Sequence, residues 1–148
     1  MPDQSSAGAR GVGSKMPDVN LNPDGPHFPA HTMEVANLLA ECVRVLNYAS
    51  MAGSGGLEYP GDAYDLLGAL CTATQRLPQL CDQLAAFLAA QAAAGHLADS
   101  KGRDPVIQAG MAADLLREAA TRVPALTAHL QRAQNDIAGL YVKDGTGD

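Results

Sequence analysis

The sequence predicts an all-α fold: an antiparallel three-helix bundle with two long proline-kinked helices, one shorter helix and a disordered N-terminal tail. Three observations lead there. Hydrophobic residues make up 47% of the chain, yet aromatics only 4%, and Trp is absent. The apolar content is therefore largely Ala and Leu, the residues a helix accommodates at least cost. Apolar positions recur in steps of four and three along three separate stretches, the spacing of one packed helix face. Gly- and Pro-rich segments divide the stretches, as turns between helices require. With 148 residues the chain has room for one core and not for two.

Residues 1–30, "MPDQSSAGARGVGSKMPDVNLNPDGPHFPA", are rich in Gly, Pro, Ser and Asp. Such a segment buries too little apolar surface to offset its ordering entropy, so a flexible tail is expected. "MPD" occurs at 1 and again at 16, which suggests a second start at Met16 or an appended leader. The first helix should open near Thr32 as N-cap and run to about Met51, with Val35, Leu39, Cys42, Leu46 and Ala49 on its apolar face. "AGSGG" ends it. Asp62 should cap the second helix, which continues to about Ala94 and carries Leu66, Leu70, Ala73, Leu77, Leu80, Leu84 and Phe87. The third should begin near Asp104, with Pro105 at the first helical position. Its stripe is Ala112, Leu116, Ala119, Val123, Leu126, Leu130, Ala133, Ile137 and Leu140. The bundle is thus expected over 31–142, with a flexible C-terminus at 143–148.

Pro78 in "QRLPQL" and Pro124 in "TRVPAL" interrupt the second and third helices, yet the stripe holds register through both, from Leu77 to Leu80 and from Val123 to Leu126. Two continuous, kinked helices are expected rather than four short ones. Each proline follows a stripe residue directly, which places it on the convex outer face. At about 1.5 Å per residue the two prolines come out at nearly the same level. An offset of 46 residues also matches Leu70 with Leu116, Ala73 with Ala119, Arg76 with Arg122, Leu80 with Leu126 and Leu84 with Leu130. A weak internal duplication produces such matches, and so does chance in a chain rich in Ala and Leu.

The charge balance limits function. Net charge is −6 and only ten residues are basic, without a cluster, so binding to nucleic acid is not expected. No apolar run reaches bilayer length and no signal peptide is legible, so the chain reads as cytoplasmic, with no membrane span. Cys42, Cys71 and Cys81 form no CxxC pair and read as buried, reduced thiols. "GSGGLEYPGD" lacks the Lys and hydroxyl residue of a phosphate loop, and Glu58 and Asp62 would repel an anion there. The histidines His27, His31, His96 and His129 give no ligand set; only His27 and His31 are four apart, in proline-broken sequence. The carboxylates are scattered over outer faces, and no nucleophile–base pair is legible. The chain is read as a non-enzyme without cofactor or metal.

One stretch stands out. "LAAFLAAQAAAG", residues 84–95, carries no charge and is apolar all round, whereas the outer third of a bundle helix should be polar. Leu84, Phe87, Leu88 and Gln91 are the expected interaction face, docking a protein partner or a second copy. The alternatives are exposed Ala that merely favours helix, and a small-molecule sensor or carrier whose apolar pocket lies at the kinks, near Leu77, Pro78, Leu80, Val123, Pro124 and Leu126. A secreted helical effector, exported through the tail, is a third.

"RLPQLCDQLAAFLAAQAAAGHL" and the Ala-rich composition resemble small uncharacterised Ala/Leu-rich helical proteins of high-GC actinobacteria, including those of plasmid-like or integrative elements. The resemblance covers roughly residues 33–141, implies a bacterial cytosolic origin and transfers no functional residue. The helical-hairpin substrates of type VII secretion do not fit: there is no Trp for their Trp-x-Gly turn, and Gly145 follows Tyr141 where their tail carries an acid.

Overall fold

The computed structural model describes residues 18–143. It is all-α: three helices, α1 (Pro29–Ala49), α2 (Pro60–Ala93) and α3 (Pro105–Ile137), with no strand among the described residues. The chain divides into two compact units, one ending at Met51 and the other beginning at Ala52. Of the tail expected over 1–30, residues 1–17 lie outside the described range, as do 144–148 of the expected C-terminal tail.

In the first unit, two side-chain turns lead into α1. The Asn20 Oδ1 accepts from the Asn22 N–H at 2.9 Å and the Asn22 Oδ1 from the Asp24 N–H at 3.0 Å, local bonds that Asn makes more readily than helix. α1 then opens at Pro29, earlier than the expected Thr32 cap, behind an extended Phe28. Proline supplies a helical φ and its missing N–H costs nothing in the first turn. Thr32 instead folds its hydroxyl back onto the Phe28 carbonyl at 3.2 Å.

The second unit is an antiparallel pair, α2 packed on α3. Asp62 does not stand at the N-cap of α2 as expected. It lies in the first turn, and its Oδ2 accepts from the backbone N–H groups of Glu58 and Tyr59, both at 2.8 Å. These bonds hold its carboxyl below the usual range. α2 ends as a helix stopped by glycine should: Gly95 has φ +70, its N–H reaches Ala92 O at 3.1 Å and the His96 N–H reaches Gln91 O at 3.2 Å. The connecting loop is tied by Asp99, which accepts from the Lys101 N–H at 2.7 Å and pairs with the Arg103 guanidinium at 2.6 Å. That guanidinium, first of all, draws the Asp99 carboxyl below its ordinary value. Asp104 caps α3 as expected, accepting from Val106 and Ile107 at 2.9 and 3.2 Å, with Pro105 following.

Both long helices run unbroken through their prolines. The crossing level is fixed by a buried hydroxyl pair. The Thr74 hydroxyl donates to the Cys71 carbonyl at 3.0 Å, which leaves its oxygen to accept from the Thr127 hydroxyl at 2.9 Å. Four residues on from Thr74 and three back from Thr127 stand Pro78 and Pro124, so the two prolines are level, as the spacing predicts. Their facing differs from expectation. Pro124 is exposed, but Pro78 is half-buried on the row that meets α3.

Candidate functional site

The packed rows of α2 and α3 still step by four and three, but they are not the rows of large leucines. On α2 the buried and half-buried row runs Leu67, Cys71, Thr74, Pro78, Cys81, Ala85, Leu88. This is the expected stripe turned by one residue, about 100° around the helix. On α3 it runs Ala109, Ala113, Leu116, Ala120, Val123, Thr127, Leu130, Gln134, Ile137. Here Leu116, Val123, Leu130 and Ile137 agree with the expectation, whereas Ala112, Ala119, Leu126 and Ala133 give way to their neighbours. Small residues let the helices approach closely: Ala85 is fully buried and Ala113 nearly so. A side chain at Gly68 would begin 2.8 Å from the Gln134 Nε2, which donates to the Tyr64 carbonyl at 3.1 Å.

The hairpin that results has two unlike sides. In an antiparallel pair, the residue one position before each packed residue falls on the same side of both helices, and the residue one position after falls on the other. The "after" side is polar: Thr72, Gln75, Gln79 and Asp82 on α2, with Asp114, Arg117, Thr121 and Gln131 on α3. The "before" side is apolar. Leu70 and Leu77 are half-buried, and Leu80, Leu84 and Phe87 continue their row at 46, 46 and 59% exposure. From α3 come Leu115 at 65% and Leu126 at 51%, with Ala119 between them. The charge within that row is Arg122, paired to Glu118 one turn away, followed by His129 and Asp136 toward the C-terminal end.

The structure thus splits the expected interaction face. Leu84 and Phe87 stand in the open, while Leu88 belongs to the row packed against α3 and Gln91 is half-buried, its Oε1 3.3 Å from His96 Nδ1. It also adds Leu115, which sequence reasoning missed because it fits no step of the α3 stripe. Only the register with α2 reveals its side. The residues expected around a kink pocket divide as well: Leu77, Pro78 and Val123 are half-buried, while Leu80, Pro124 and Leu126 face outward rather than around an enclosed space.

Reactive groups are dispersed. All three cysteines are free; Cys71 is buried and Cys81 half-buried, but Cys42 is exposed on α1, against the expectation that all three are buried. In the first unit His27 and His31 share the lining of a cleft of about 280 Å³ with Asn20, Asn22 and Val35. His27 Nε2 is engaged with the Pro23 carbonyl at 2.9 Å, and buried His31 lies 3.6 Å from Glu34 beside the Phe28 ring. Among the described residues no group of three or more His, Cys, Asp or Glu is gathered to hold a metal ion, and no helix is long and apolar enough to cross a membrane. No family model matches the chain, and no curated protein and no solved structure is significantly similar to it.

Proposed function

We propose that the chain is a non-enzymatic association module that binds through the apolar side of the α2–α3 hairpin. One observation carries the reading: Leu80, Leu84, Phe87, Leu115 and Leu126 stand exposed on the same side, while the opposite side is built of Thr, Gln, Asp and Arg. Scattered exposed leucines are ordinary on a protein surface; a contiguous apolar patch on one side, with charge kept to its edge, is the mark of a docking surface. Phe87 is the natural anchor, because a large aromatic side chain contributes disproportionately when it is buried at an interface centre.

The test is a double variant, Leu84→Glu with Phe87→Glu, compared with wild type for the proteins, its own chain included, that stay bound to the tagged full-length chain. Circular dichroism should show unchanged helix content, because neither side chain belongs to the α2–α3 row. Loss of the bound set in the variant is the expected result. An unchanged bound set would overturn the assignment of this surface.

A further inference from the structure

Resting on that reading, we propose that the occupant of the apolar side is a second copy of the same hairpin, the two closing face to face into a four-helix assembly. The first support is extent. At their exposures the five large side chains leave on the order of 450 Å² uncovered, and Ala73, Leu77 and Ala119 raise this to about 700 Å², close to the ~800 Å² per partner of a stable interface. A face of that size exceeds what a monomer ordinarily leaves open. The second is width. The surface spans both helices, with Leu84 and Phe87 on one and Leu115 and Leu126 on the other, so a single docked helix leaves much of it wet, whereas another hairpin matches it helix for helix.

The third is self-complementarity. A two-fold interface brings a patch against itself, so any charge within it meets its own sign or is left desolvated. From Leu66 to Phe87 the α2 row carries no charge at all, and the Arg122 of the α3 row already has Glu118 as its partner. Copies can therefore close on one another without opposing like charges. The polar side, with the Asp114–Arg117 pair at 3.0 Å, would stay in water.

Sedimentation equilibrium on the full chain tests this up to ~100 µM, a range that captures a dissociation constant of micromolar order. Three proteins are compared: wild type, Leu84→Glu, and Ala86→Glu, which puts the same charge on the same helix but on the polar side. The expected result is a dimer for wild type and Ala86→Glu, and at least a ~100-fold weaker dimer for Leu84→Glu, since a buried unpaired carboxylate is strongly disfavoured. Binding of a fluorescent apolar probe, 8-anilinonaphthalene-1-sulfonate, separates the failures. A wild-type monomer that binds the probe, with binding lost in Leu84→Glu, overturns self-pairing and leaves the association surface standing. A monomer that does not bind it overturns both. A dimer broken by Ala86→Glu and not by Leu84→Glu also overturns both, because the polar side would then be the interface.

Discussion

Along α2, the row that meets α3 includes Cys71, Thr74, Cys81 and Ala85, while the row one residue earlier includes Leu70, Leu77, Leu80, Leu84 and Phe87. The smaller residues are the more buried ones. Two helices touch most closely where side chains are short, so a row of Ala, Thr and Cys draws the backbones together, and the leucines beside it are left on the flank. Hydrophobicity and closeness of packing are separate properties, and here they occupy adjacent strips of one helix. The first strip holds the hairpin; the second is available to hold something else.

Enlarging the small row should do the most damage. Ala85→Leu inserts three heavy atoms where the side chain has no exposed surface, and urea unfolding should show a loss of about 1–3 kcal/mol. Stability equal to wild type would mean that the row is not close-packed. Removing the α3 cap by Asp104→Ala orphans the Val106 and Ile107 amides and should lower stability by about 1 kcal/mol, read in the same experiment. Thr127→Val deletes the bond to Thr74 for a similar or slightly smaller loss of about 1 kcal/mol. Adding Thr74→Val should then cost less than its effect alone, because the two hydroxyls are coupled. On the leucine strip, Leu80→Gln should stay within ~0.5 kcal/mol under conditions where the chain is monomeric. A large loss there would erase the distinction between the strips.

Acid provides the mildest probe. The Asp62 and Asp99 carboxyls are lowered in the folded chain, the first by backbone N–H bonds and the second chiefly by Arg103. Their stabilisation is fully present above the ordinary carboxylate pKa of about 4 and is lost as pH falls below it toward the folded values. The urea midpoint should therefore drop between pH 5 and pH 3 by less in Asp62→Asn than in wild type. Equal drops would assign the acid sensitivity to other groups.

Much of the architecture was legible. Pattern and punctuation specified three helices, the Asp104 cap with Pro105 behind it, the Gly95 stop, continuity through both prolines and their common level. Each is a local matter or follows from counting residues along an axis. What could not be read was which of two neighbouring rows faces inward. Leu80 and Cys81 differ by 100° around α2, both rows keep the four-three step, and choosing the more hydrophobic one selected the flank. The same choice put Leu88 with Leu84 and Phe87, though it packs on α3, and left out Leu115, whose side is set only by the partner helix. The start of α1 was missed for a simpler reason: Pro29 was read as ending the tail, whereas it occupies the first helical position.

The hydroxyl pair at Thr74 and Thr127 has one more consequence. A contact strip of alanines is nearly uniform, so one helix slid along the other by a turn would find almost the same surface waiting for it. Only the threonines would notice, each left in an apolar setting without the other. The pair therefore works as an index mark on an otherwise unmarked scale: its worth lies less in the strength of one bond than in the neighbouring alignments it makes unfavourable.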